Sequence, residues 1–67
     1  MYQVELEQEE DGRWIAEVAA LPGVLAYGDS REEALRKVQV LTLHVLADRL
    51  EHGESIPQVE QVFSIVA

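Results

Sequence analysis

His44, Asp48 and His52 recur every four residues, which aligns them along one side of an α-helix. Imidazole and carboxylate side chains in a row are zinc-ligand types. A zinc site takes three or four ligands, however, and the sequence has only two histidines and no cysteine. The row reads as a solvated helix face. A second candidate chemistry is metal-dependent nucleic-acid cleavage, in which several carboxylates converge on two divalent ions. The 13 Asp and Glu residues supply the groups but not the placement. Glu5, Glu7 and Glu17 fall on outward strand positions, Glu9, Glu10 and Asp11 fall in a turn, and no aspartate is embedded in an apolar strand. Ser30 and Ser55 lack a base and an acid at useful spacing. Gly12, Gly23, Gly28 and Gly53 stand singly at reversals instead of forming a phosphate loop. No catalytic centre, metal site or cofactor is expected.

The elements that carry these residues follow from periodicity. Tyr2, Val4 and Leu6 alternate with Gln3, Glu5 and Glu7, the period of a half-buried strand. Asp11-Gly12 marks a reversal, since Gly accepts positive φ and Asp tolerates it. Arg13 to Ala19 reads as a second strand, with Trp14, Ala16 and Val18 on one face and Arg13, Ile15 and Glu17 on the other. Leu21-Pro22-Gly23 breaks the ladder, and Val24 to Tyr27 forms a short third strand. Ser30 and Glu33 have capping-box spacing at the start of a helix running from Arg31 to about His52, with Gly53 just past its end. Val59 to Val66 returns to strand character. The expected fold is α+β, in the order β-β-β-α-β, with one long helix packed on an antiparallel sheet.

Within the helix, Ala34, Leu35, Val38, Leu41, Thr42, Val45 and Leu46 form the stripe that should cover the sheet. Val40, Leu43, Ala47 and Leu50 lie on nearly the opposite side. Four apolar residues in register there predict a protein contact, and self-association as a dimer or tetramer is the expected use. The final strand offers a second edge for pairing across a two-fold.

Size and charge restrict the function class. Sixty-seven residues make one domain, too short for a nucleotide-binding α/β enzyme fold. The 48% hydrophobic content argues against disorder, and no apolar run is long enough to span a bilayer. Without cysteine or a signal-peptide pattern, a soluble cytoplasmic protein is expected. The net charge of −8 disfavours nucleic acid and anionic membranes and favours a basic protein as partner. The acidic groups expected to meet it are Glu7, Glu9, Glu10 and Asp11 at the hairpin and Glu32 and Glu33 at the helix start.

Asp11-Gly12-Arg13-Trp14, then Leu21-Pro22-Gly23, then Gly28-Asp29-Ser30 with Glu32-Glu33-Ala34, resemble the HicB-like antitoxin family. Gly53-Glu54-Ser55-Ile56-Pro57 is similar to that family's helix exit, and the resemblance spans about residues 1–66. It implies a partial ribonuclease-H-like fold without a nuclease site. It also implies a non-catalytic antitoxin role: binding and neutralising HicA-type toxins, which are small basic ribonucleases, commonly as dimers or tetramers. Many family members carry a helix-turn-helix or ribbon-helix-helix segment after the last strand. Here the sequence stops at Ala67, so a single domain over 1–67 without direct operator binding is expected. The alternative reading is a solitary self-assembling domain of the same type, an adaptor or sensor without a toxin.

Overall fold

The first hairpin is built by its turn. The computed structural model describes residues 1–67. Strand β1 (Glu5–Gln8) pairs antiparallel with β2 (Trp14–Glu17), Leu6 opposite Ala16 and Gln8 opposite Trp14. The Glu9 N–H donates to the Arg13 carbonyl at 2.7 Å, and the Gly12 N–H donates to the Glu9 carbonyl at 3.0 Å. Gly12 at φ 93° supplies the left-handed step that this reversal requires. Asp11 locks the turn, its carboxylate accepting from the backbone N–H of Arg13 at 3.0 Å and from Arg13 Nε at 2.8 Å.

The second reversal uses proline and glycine together. Val24 N–H donates to the Leu21 carbonyl at 3.0 Å across Pro22 and Gly23, and Gly23 has φ 83°, the signature of a type II turn. This turn delivers β3 (Leu25–Gly28), which pairs antiparallel with β2 and completes a sheet of order β1-β2-β3.

Helix α1 (Arg31–Glu51) starts at Ser30, whose Oγ accepts from the Glu33 N–H at 3.1 Å. Glu33 reciprocates one residue earlier than the usual box, its Oε1 accepting from the Asp29 N–H at 3.1 Å. At the other end, Gly53 and Glu54 donate to the carbonyls of Leu50 and Arg49, each at 3.0 Å, which closes a Schellman motif. The core is small: Ala16, Val18, Leu21 and Val24 from the sheet side meet Ala34, Val38 and Leu46 from α1, with Ile56 sealing the far end. Thr42 lies within the buried stripe and donates its hydroxyl to the Val38 carbonyl at 2.7 Å. Gly28 sits so close to the helix start that an added Cβ would collide with the backbone of Glu33 and Ala34.

The α+β fold and the β-β-β-α order are as expected, but the final strand does not form. Residues Pro57–Glu60 are a helical turn, α2, in place of the start of that strand. The reason is local. Pro57 is preorganised for a first helical position, and the Ile56 carbonyl accepts from the Val59 and Glu60 N–H groups at 3.0 and 3.1 Å. Ser55 Oγ adds a 2.8 Å hydrogen bond to Glu60 Oε1. Residues 61–67 are exposed throughout. The molecule measures 52 × 21 × 15 Å. Its radius of gyration is 14.1 Å, against about 11 Å for a compact chain of this length.

Candidate functional site

The sheet has two faces of different character. Leu6, Ala16, Val18 and Ala26 turn toward α1. The alternate residues turn outward in two rungs, Glu7–Ile15–Tyr27 and Glu5–Glu17–Leu25. Tyr27 is 42% exposed and Leu25 36%, so an apolar patch with Ile15 at its centre lies open, bordered by Glu5, Glu7 and Glu17. Arg13 places its guanidinium 4.8 Å from the centre of the Tyr27 ring, at the hairpin end of the patch.

Register brings most of the expected acidic residues to that same end. Gln8, Trp14 and Gly28 form the last rung of the sheet. Beyond it lie both the hairpin turn with Glu9, Glu10 and Asp11 and the helix start with Glu32 and Glu33. A shallow, wholly polar hollow of about 440 Å³ lies among Glu7, Gln8, Glu9, Glu10, Asp11 and Arg13.

The six carboxylates differ in how far they are already engaged. The backbone N–H and then the side chain of Arg13 hold Asp11 below the usual carboxylate range. The Asp29 N–H and then Lys37, 3.2 Å away, hold Glu33 low in the same way. Both groups are committed to their own turn and cap. Glu7, Glu9, Glu10 and Glu32 make no ion pair and leave their charge to the surroundings.

On the outer side of α1, Val40 is 49% exposed, Leu43 67% and Leu50 42%, with Ala47 exposed between them. This is the stripe that the helical spacing marks. The imidazole row has a structural role at its C-terminal end: His52 Nδ1 donates to the Asp48 carbonyl at 2.7 Å, capping the helix. No group of three or more His, Cys, Asp or Glu side chains is placed to hold a metal ion.

The apolar patch of the outer sheet face is the feature that sequence reasoning missed. Its signal was present in the hairpin parity, because Ile15 shares a face with Glu17 and interrupts an otherwise polar set. Val62, Phe63, Ile65 and Val66, which fall in the run expected as the final strand, are exposed and belong to no strand.

The chain is 32% identical over 57 residues to the UPF0150 protein Ta0767 of Thermoplasma acidophilum. The match covers 85% of this chain and 83% of that protein. No family model matches the chain. No solved structure matches it. No helix is long and apolar enough to cross a membrane.

Proposed function

This chain belongs to the UPF0150 family, and from that premise we propose that it is a HicB-like, antitoxin-type binding module. It acts without catalysis, sequestering a small basic ribonuclease of the HicA type on the outer face of its sheet. The observation that carries this reading is the open Ile15, Leu25 and Tyr27 patch set among Glu5, Glu7 and Glu17. Exposed ion pairs contribute only about 0–1 kcal/mol each, so charge alone gives little lasting affinity. An apolar anchor with an acidic border supplies both parts of a durable interface: a desolvated centre and a rim that selects a basic partner. Glu9, Glu10 and Glu32 extend that rim around the hairpin end.

The test is inhibition of RNA cleavage. A small basic protein captured on the immobilised chain is assayed for ribonuclease activity with and without the free chain. Activity should vanish at one equivalent of chain, and Tyr27→Ala with Glu7→Lys should restore it. A captured protein that cleaves RNA equally well in the presence of excess chain contradicts the reading.

The alternative, a self-assembling adaptor or sensor domain of the same family without a toxin, draws on a different observation. Val40, Leu43, Ala47 and Leu50 stay exposed on α1, with Leu43 also lining the groove between α1 and the N-terminal segment. Dimer or tetramer formation through this stripe fits either reading. A neighbouring gene for a small basic protein separates the two: present for an antitoxin, absent for a solitary domain.

A further inference from the structure

Residues 1–30, which include the whole sheet, hold seven Asp and Glu side chains and a single cation, Arg13. That cation stays off the acidic border. Strand alternation sets Arg13 on the same face as Glu7 and Glu9. Glu9 lies directly across from it, joined by the Glu9 N–H to Arg13 carbonyl bond at 2.7 Å, and Glu7 is its diagonal neighbour. Neither carboxylate pairs with it. Arg13 Nε instead donates to Asp11 Oδ2 at 2.8 Å, and the guanidinium leans the other way, to within 4.8 Å of the centre of the Tyr27 ring on β3. Tyr27 stands opposite Ile15, so this reach is also diagonal, and it brings the cation within the range of attraction by a ring quadrupole. The contact is lightly held, since the Arg13 and Asp11 side chains are 54% and 55% exposed.

We propose that the face of the Tyr27 ring is a seat for an arginine of the basic partner, and that Arg13 fills this seat in the free chain. On binding, the partner's guanidinium takes the place of Arg13 on the ring, and Arg13 turns aside on its Asp11 tether. This inference rests on the reading of the outer sheet face as the site of a basic partner. It adds which side chain that partner presents and what it displaces.

Three features favour this occupant. The chain's own guanidinium already lies over the ring, so the seat displays its fit for a planar cation. Glu7 is unpaired and shares the rung Glu7–Ile15–Tyr27, with β1 and β3 about 9.5 Å apart, two strand spacings. A guanidinium stacked by its face on the ring keeps its edge N–H groups for a carboxylate across Ile15. The compact ammonium of lysine has no such division between face and edge. Finally, Asp11 also accepts from the Arg13 backbone N–H at 3.0 Å, so the turn survives when the side chain leaves the ring. The displaced cation keeps a counter-charge beside it.

The probe is a nona-arginine peptide, titrated into the full chain at about 100 mM salt, where a Debye length of about 10 Å damps long-range attraction. Binding is followed by proton and nitrogen NMR. At saturation the Tyr27 ring resonances and the Arg13 Nε–H should both shift. Arg13→Gln empties the seat and should tighten peptide binding about threefold to fivefold more than Arg36→Gln, which makes the same charge change on α1. In a Tyr27→Leu background the two substitutions should have equal effects. A nona-lysine peptide should gain less from Arg13→Gln than nona-arginine does. Helical circular dichroism should stay unchanged throughout, because Arg13, Tyr27 and Arg36 are exposed. An equal gain from Arg13→Gln with and without the Tyr27 ring overturns the proposal. Shifts at Ile15 and Leu25 with the Tyr27 ring and Arg13 unmoved overturn the seat and leave the basic-partner reading standing. A titration that shifts no residue of the outer sheet face overturns both.

Discussion

At the scale of single residues, the chain sets its acidic side chains to two different uses. Asp11 and Glu33 spend their charge internally, one on the hairpin turn and one on the helix entry. Glu7, Glu9, Glu10 and Glu32 spend none of it. The division has a pH consequence. Glu33 is held below its ordinary carboxylate range by the Asp29 N–H and by Lys37. A group whose folded pKa is depressed stabilises the fold above its unfolded pKa and loses that stabilisation as pH falls through the folded value. Glu33→Gln should therefore lower the urea midpoint near neutral pH, and the gap to wild type should close as pH drops below the ordinary Glu value of 4.5. A gap that stays constant down to about pH 3 contradicts the role given to this carboxylate. Sequence alone places Glu33 in the cap by its spacing from Ser30. It does not distinguish Glu33 from Glu32 as a free charge, because that depends on which N–H group each side chain reaches.

At the scale of elements, local chemistry was legible and long-range pairing was not. Asp11-Gly12, Leu21-Pro22-Gly23, Ser30 with Glu33, and Gly53 each specify a turn or cap through one or two backbone bonds, and each forms where expected, with Glu33 reaching the Asp29 N–H instead of that of Ser30. The final strand failed because two local signals compete there. Val59, Val62, Phe63 and Ile65 favour a strand, but Pro57 and the Ile56 carbonyl start a helical turn before any edge is within reach. Gly28 is a further case where the sequence is ambiguous. Its place after a short strand suggests a simple stop, whereas its function is close approach: the backbone of Glu33 and Ala34 occupies the space of a side chain. Gly28→Ala should lower stability by about 1–3 kcal/mol, the range of an overpacked contact, with the urea slope unchanged. An unchanged midpoint would show that the helix start gives way freely.

At the scale of the whole molecule, a small core leaves much apolar surface outside it. Only 10 of 67 residues are buried, while Leu25, Tyr27, Val40, Leu43, Leu50 and the Val62–Val66 segment stay open. A domain of this size covers about 60% of its unfolded surface, so any further burial would require a partner. The outer sheet face and the exposed stripe of α1 belong to different elements, so one surface could be covered without covering the other. The sequence announced the stripe by its helical spacing and the acidity by composition. It did not announce the acid-bordered sheet patch, because that patch exists only once the strand register sets Ile15 beside Tyr27 and Glu7. On the proposed function, this patch captures a basic protein through an apolar centre, with the acidic border governing encounter. The most direct measurement is the salt dependence of association and dissociation with the captured basic protein, between about 50 and 500 mM salt. Screening over a Debye length that shrinks from roughly 14 to 4 Å acts on encounter more than on the desolvated contact. The association rate should fall by roughly tenfold or more while dissociation changes by less than about twofold. An association rate indifferent to ionic strength would contradict the proposed capture of a basic protein by the acid-bordered patch.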